Sequence, residues 1–117
     1  PNSLFILNII RIVTMSEKNP LQTFIEEAPE VQKAYADFIQ SLIAEEGLDS
    51  KTKQLIYIGM KMIADDERAV KVHVPMAKNA GATREEVKTA VLLGLSVIGM
   101  KAVSKYLPLV LDSFDAA

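Results

Sequence analysis

From Asn19 to the C-terminal residues, apolar side chains recur at spacings of three and four, interrupted by residues that start or stop helices. No stretch alternates with the period of two that a half-buried strand needs. A chain patterned this way builds helices and no sheet, so the expected fold class is all-α, with about six helices. Asn19-Pro20 supplies an N-cap followed by a proline in the first turn, opening a short helix that ends before Pro29. Between Pro29 and Glu46, Val31, Ala34, Tyr35, Phe38, Leu42 and Ile43 form one face for burial, and Gly47 is the natural stop. Asp49 or Ser50 then caps a third helix through Ala64, in which Leu55, Ile56, Ile58, Met60, Met62 and Ile63 leave little polar surface. That composition marks it as central.

Asp65 or Asp66 caps a fourth helix reaching Ala80. Pro75 inside it withdraws the amide that would serve the Lys71 carbonyl, which predicts a kink beside His73. Thr83-Arg84-Glu85-Glu86 is a capping box and opens a fifth helix, with Val87, Ala90, Val91, Gly94, Leu95 and Ile98 on its apolar side. Gly94 and Ser96 allow close helix approach there, and Gly99 ends it. A last helix from about Met100 holds Val103, Tyr106, Leu107, Val110 and Leu111, with Pro108 bending it.

A chain of 117 residues suits one domain with a modest core. Half of its residues are hydrophobic and its mean hydropathy is +0.19, more apolar surface than a small monomer hides, so self-association is expected. A net charge of −2 lacks the basic footprint of nucleic-acid binding. The absence of cysteine excludes disulfides, thiolate nucleophiles and cysteine-ligated metals within the chain. Leu4 to Val13 is the one candidate membrane or targeting segment, but it is half the length of a spanning helix, contains Arg11 and lacks the basic start and cleavage site of a secretory signal. No membrane partner and a cytoplasmic location are the expectations. Met15 opens a normal polar start, so residues 1–14 read as an apolar leader, not of necessity native, and residues 15–117 as a single helical domain.

His73 is the only histidine, in the run DDERAVKVHVPMAKNAGATREEV. Imidazole is the side chain whose ordinary pKa lies nearest neutrality, which makes His73 the first candidate for proton chemistry. The surrounding segment KTKQLIYIGMKMIADDERAVKVHVPMAKNAGATREEVKTAVLL resembles the carboxymuconolactone decarboxylase and AhpD-like family, and the likeness covers most of residues 28–115. Its most specific part is the histidine followed eight residues later by the glycine of the NAGATREEV turn, with Val97-Ile98-Gly99 before the last helix. The resemblance implies a small AhpD-like helical domain with a central antiparallel hairpin, assembled into a ring-like homo-oligomer, a trimer or a hexamer.

Peroxidase-type members carry Cys-x-x-Cys-x-x-x-His and a glutamate twelve residues before the first cysteine. Here Asp66, Ala69 and Gln54 stand at those positions, and neither aspartate nor alanine can attack peroxide or resolve a sulfenate. Decarboxylase-type members lack the cysteine pair and keep the histidine. That branch implies a lyase without cofactor or metal, removing CO2 from a small carboxylated lactone of aromatic breakdown, with His73 as the proton donor. In a hairpin turning near Asp65, a mirror count sets Tyr57 level with His73, and Gln54 lies one helical turn from Tyr57. These three make the candidate catalytic group; Lys71 and Arg68, nearby in sequence, are candidates for holding the substrate carboxylate.

Plainer readings stand beside these. A histidine between Val72 and Val74 is equally a hydrogen-bonded structural residue, Gln54, Tyr57 and Lys61 an ordinary polar stripe, and Asp65-Asp66-Glu67 a helix start favoured by the dipole. The whole chain equally reads as a non-catalytic oligomer of the same family that retains a small-ligand pocket.

Overall fold

The computed structural model describes residues 3–7 and 19–117 and is all-α among them. Residues 3–7 are helical, with Leu4, Phe5, Ile6 and Leu7 exposed; the rest of the apolar leader lies outside the described residues. No described helix is long and apolar enough to cross a membrane. The chain divides into two units, Pro1–Glu45 and Glu46–Ala117.

The first unit contains α1 (Pro20–Glu27) and α2 (Pro29–Ile43). Asn19 caps α1 as its sequence predicts, accepting from the Gln22 amide at 2.8 Å, and a proline occupies the first turn of each helix. Phe24 and Tyr35 meet with ring centroids 6.2 Å apart. The expected burial of the α2 face does not occur within this unit. Val31, Tyr35, Phe38, Leu42 and Ile43 are all more than half exposed, and neither helix has a buried residue. An eight-residue helix offers too little surface to cover a fifteen-residue stripe.

The second unit holds α3 (Ser50–Ile63), α4 (Glu67–Asn79), α5 (Arg84–Leu93), the four-residue α6 (Leu95–Ile98), a π-helical segment over Ala102–Tyr106, and α7 (Leu107–Ala116). The cap residues behave locally as their chemistry dictates: Asp49 accepts from Thr52 N at 2.7 Å, Asp66 from Ala69 N at 3.1 Å, and Thr83 and Glu86 complete both bonds of the capping box. The core is Ile58 and Met62 of α3, Val70, Val74 and Ala77 of α4, Val87 and Val91 of α5, and Ala102, Tyr106, Val110 and Phe114 behind them.

Two details differ from the sequence expectation. The fifth helix closes at Leu93, and at buried Gly94 a side chain would meet the terminal methyl of Met62 across from it; α6 follows, and Gly99, at φ +66°, ends that. The bend expected at Pro108 takes the form of a widened π turn just before it, where the missing proline amide leaves the Ser104 carbonyl without its usual donor.

The α3–α4 turn is a Schellman closure: Asp65 N donates to Met62 O and Asp66 N to Lys61 O. The same closure ends α4 at Gly81, with φ +102°, but at the end of α3 the left-handed position holds Asp65, at φ +56°. Glycine is the residue that position ordinarily prefers. The aspartate stays because its carboxylate accepts from Lys101 at 2.9 Å, Lys105 at 2.7 Å and the hydroxyl of buried Tyr106 at 2.6 Å. Those bonds, Lys105 first, then Tyr106 and Lys101, hold the Asp65 carboxyl far below the usual carboxylate range, and burial followed by the Asp65 contact pushes the Tyr106 phenol up.

A depressed carboxylate pKa contributes stability that is complete above the unfolded value of about 4 and is lost as pH falls through the folded value. Asp65→Asn, which tolerates the same backbone, should therefore lower the melting temperature by a constant margin between about pH 5 and pH 8. The margin should shrink below about pH 4 in a calorimetric series, as the wild-type carboxylate itself protonates. Asp65→Gly should also destabilise at neutral pH, although it relieves the backbone.

Candidate functional site

The antiparallel pairing of α3 and α4 brings Gln54, Tyr57 and His73 together. His73 Nδ1 lies 2.8 Å from Gln54 Oε1, and the Tyr57 and His73 rings stand 4.3 Å apart with an interplanar angle of 45°. Since an amide oxygen only accepts, Nδ1 carries the hydrogen of this contact, and Nε2 is the nitrogen left to exchange a proton. His73 is half-buried beside Val70, Val74 and Ala77, which face the core from the same helix. Burial first, and the positive charge of Lys61 second, lower the imidazole pKa below its ordinary 6.5. At neutral pH the ring is uncharged, with Nε2 as its basic nitrogen.

Lys71 and Arg68 do not join this group. Lys71 lies 3.7 Å from Glu67 on an exposed part of α4, and Arg68 is exposed on the first turn of the same helix. The cation that does reach the site is Lys61, one turn beyond Tyr57 on α3. Its Nζ stands 5.6 Å from the Tyr57 ring centroid and 3.2 Å from Asp66 Oδ2. The Asp66 bond, followed by the Tyr57 interaction, raises the lysine pKa, so the ammonium is charged throughout the physiological range. The signal for Lys61 was present in the polar stripe 54–57–61; its direction of aim depends on Asp66, which folding brings to it.

An apolar recess of the unit lies elsewhere. An apolar groove of about 600 Å³ runs between another face of α3, at Ile56, Gly59, Met60 and Ile63, and the α5–α6 face at Ala90, Leu93 and Val97. None of Gln54, Tyr57, Lys61 or His73 lines it. Among the described residues, no three histidine or acidic side chains converge on a metal position.

A model described as the carboxymuconolactone decarboxylase family matches residues 29–112. Comparison with curated proteins and with solved structures gave no significant match.

Replacing the Gln54 amide by a carboxylate tests the contact directly. Gln54→Glu should place a negative charge against Nδ1 and raise the His73 pKa above its wild-type value, as an opposite charge within hydrogen-bond reach favours imidazolium. With one histidine in the chain, the titration of its ring protons by NMR reads this without assignment.

Proposed function

Because the chain belongs to the carboxymuconolactone decarboxylase family, and the cysteine pair of a peroxidase is absent, we propose that it is a lyase without cofactor that removes CO2 from a small carboxylated lactone. The observation that carries this reading is the contact between His73 and Gln54, which orients one half-buried imidazole with a single nitrogen available for proton transfer. In the reaction, the bond to the carboxylate carbon breaks and its electron pair moves into the conjugated lactone. The resulting dienolate takes one proton at carbon, and CO2 leaves. His73 supplies that proton from Nε2. Burial and Lys61 keep the ring neutral when the site is empty; a substrate carboxylate beside it favours the imidazolium and charges the donor as substrate arrives. Gln54 holds the ring in place through Nδ1, and Tyr57 packs against its face.

A second reading, a non-catalytic oligomer with a small-ligand pocket, is favoured by one observation: an apolar recess of about 600 Å³ lies away from His73. Mutation separates the two. His73→Ala should lower kcat for CO2 release from 4-carboxymuconolactone by about 100-fold or more, with the oligomer size unchanged. A proton donor of lowered pKa is active when protonated, so kcat/KM should fall as pH rises through a value below 6.5. A rise over the same range would make His73 a base instead.

The chain further acts as a homo-oligomer, a trimer or hexamer in keeping with the family. The support is the uncovered stripe of α2. Helices of 8 and 15 residues with no buried side chain are marginal in water on their own, and covering the half-exposed Tyr35, Phe38 and Leu42 stabilises by roughly 1 kcal/mol each. A second copy is the occupant that supplies equal apolar faces. Phe38→Glu should shift the mass measured by light scattering toward the monomer; a wild-type monomer at micromolar concentration would overturn this reading.

A further inference from the structure

Lys61 has a partner that is easily exchanged. Its ion pair with Asp66, at 3.2 Å, joins side chains that are 32% and 42% exposed, and a pair of that exposure contributes little net stability. Asp66 has a second task that does not involve Lys61, since its Oδ1 caps α4 through the Ala69 amide at 3.1 Å. The aspartate therefore remains satisfied when the lysine leaves. On the other side, Lys61 stands over the Tyr57 ring, which itself packs on His73. Lys71, by contrast, is drawn along α4 to Glu67, and Lys101 and Lys105 are committed to Asp65.

We propose that Lys61 is the carboxylate-binding residue of the His73 site, exchanging Asp66 for a carboxylate of the substrate and setting that molecule against Tyr57 and His73. This rests on the reading of the ligand as a small carboxylated lactone. The carboxylate it takes is one that the product keeps: a cation fixed on the departing group holds the reactant more tightly than the neutral CO2 it becomes, and would raise the barrier. Lys61 thus contributes to binding, and its removal raises KM with kcat little changed.

The test uses paraconate, a γ-lactone with one carboxylate, and its neutral methyl ester, each titrated into the full chain while the resonances of the single histidine are followed. Wild type should bind paraconate about tenfold more tightly than the ester, as a charge-assisted hydrogen bond provides. Lys61→Met should abolish that preference and Lys71→Met should retain it. Asp66→Asn preserves the helix cap but releases the lysine, so it should tighten paraconate binding. A Lys61→Met protein that keeps the preference overturns the assignment and leaves the carboxylated-ligand reading intact, whereas a wild type without preference, or without binding, overturns both. Unchanged or weaker binding in Asp66→Asn overturns the exchange. Binding as expected without CO2 release from any lactone supports Lys61 and removes only the lyase reading.

Discussion

The turn between α3 and α4 depends on a carboxylate in a backbone conformation that aspartate tolerates less well than glycine. Asp65 accepts the left-handed position because three donors from the C-terminal part of the chain converge on it, one of them the hydroxyl of a fully buried tyrosine. An orphaned phenol at Tyr106 would be costly in the core, and the Asp65 carboxylate accepts its hydrogen. The same contact ties the hairpin turn to the π segment. At the other end, Lys78 donates to the carbonyls of Phe114 and Ala117, and Arg84 grips Asp115 through two nitrogens, closing α7 against α4 and α5.

Much of this was legible before folding because it is local. Asn19, Asp49, Asp66 and Thr83 cap helices through amides three residues away, a relation that three or four letters of sequence contain. The meeting of Tyr57 and His73 was legible too, since a short turn at Asp65 makes the pairing of the two helices a matter of counting. What escaped depends on contacts far along the chain. Asp65 presents itself as a helix start, and only donors 36 to 41 positions away reveal it as an anchor. Lys71 was the lysine near the histidine in sequence, and only the folded chain shows Glu67 drawing it away and Asp66 holding Lys61 near Tyr57. Periodicity identified the apolar face of α2 and could not say that α1 leaves it exposed.

The helix α3 shows why a single amphipathic pattern is an incomplete description. Ile58 and Met62 point to the core, Gln54, Tyr57 and Lys61 meet α4, and Ile56, Met60 and Ile63 remain exposed along the groove. Three faces with three chemistries fit on fourteen residues, and Gly59 leaves open space on one of them. The polar stripe is the one that carries the histidine's partners.

The contact between Gln54 and His73 spans only 19 positions, all of them within one helical hairpin. Closing so short a loop costs little chain entropy. The contact belongs to a short run of consecutive residues, whereas the anchor of its turn is borrowed from Lys101, Lys105 and Tyr106 far along the chain.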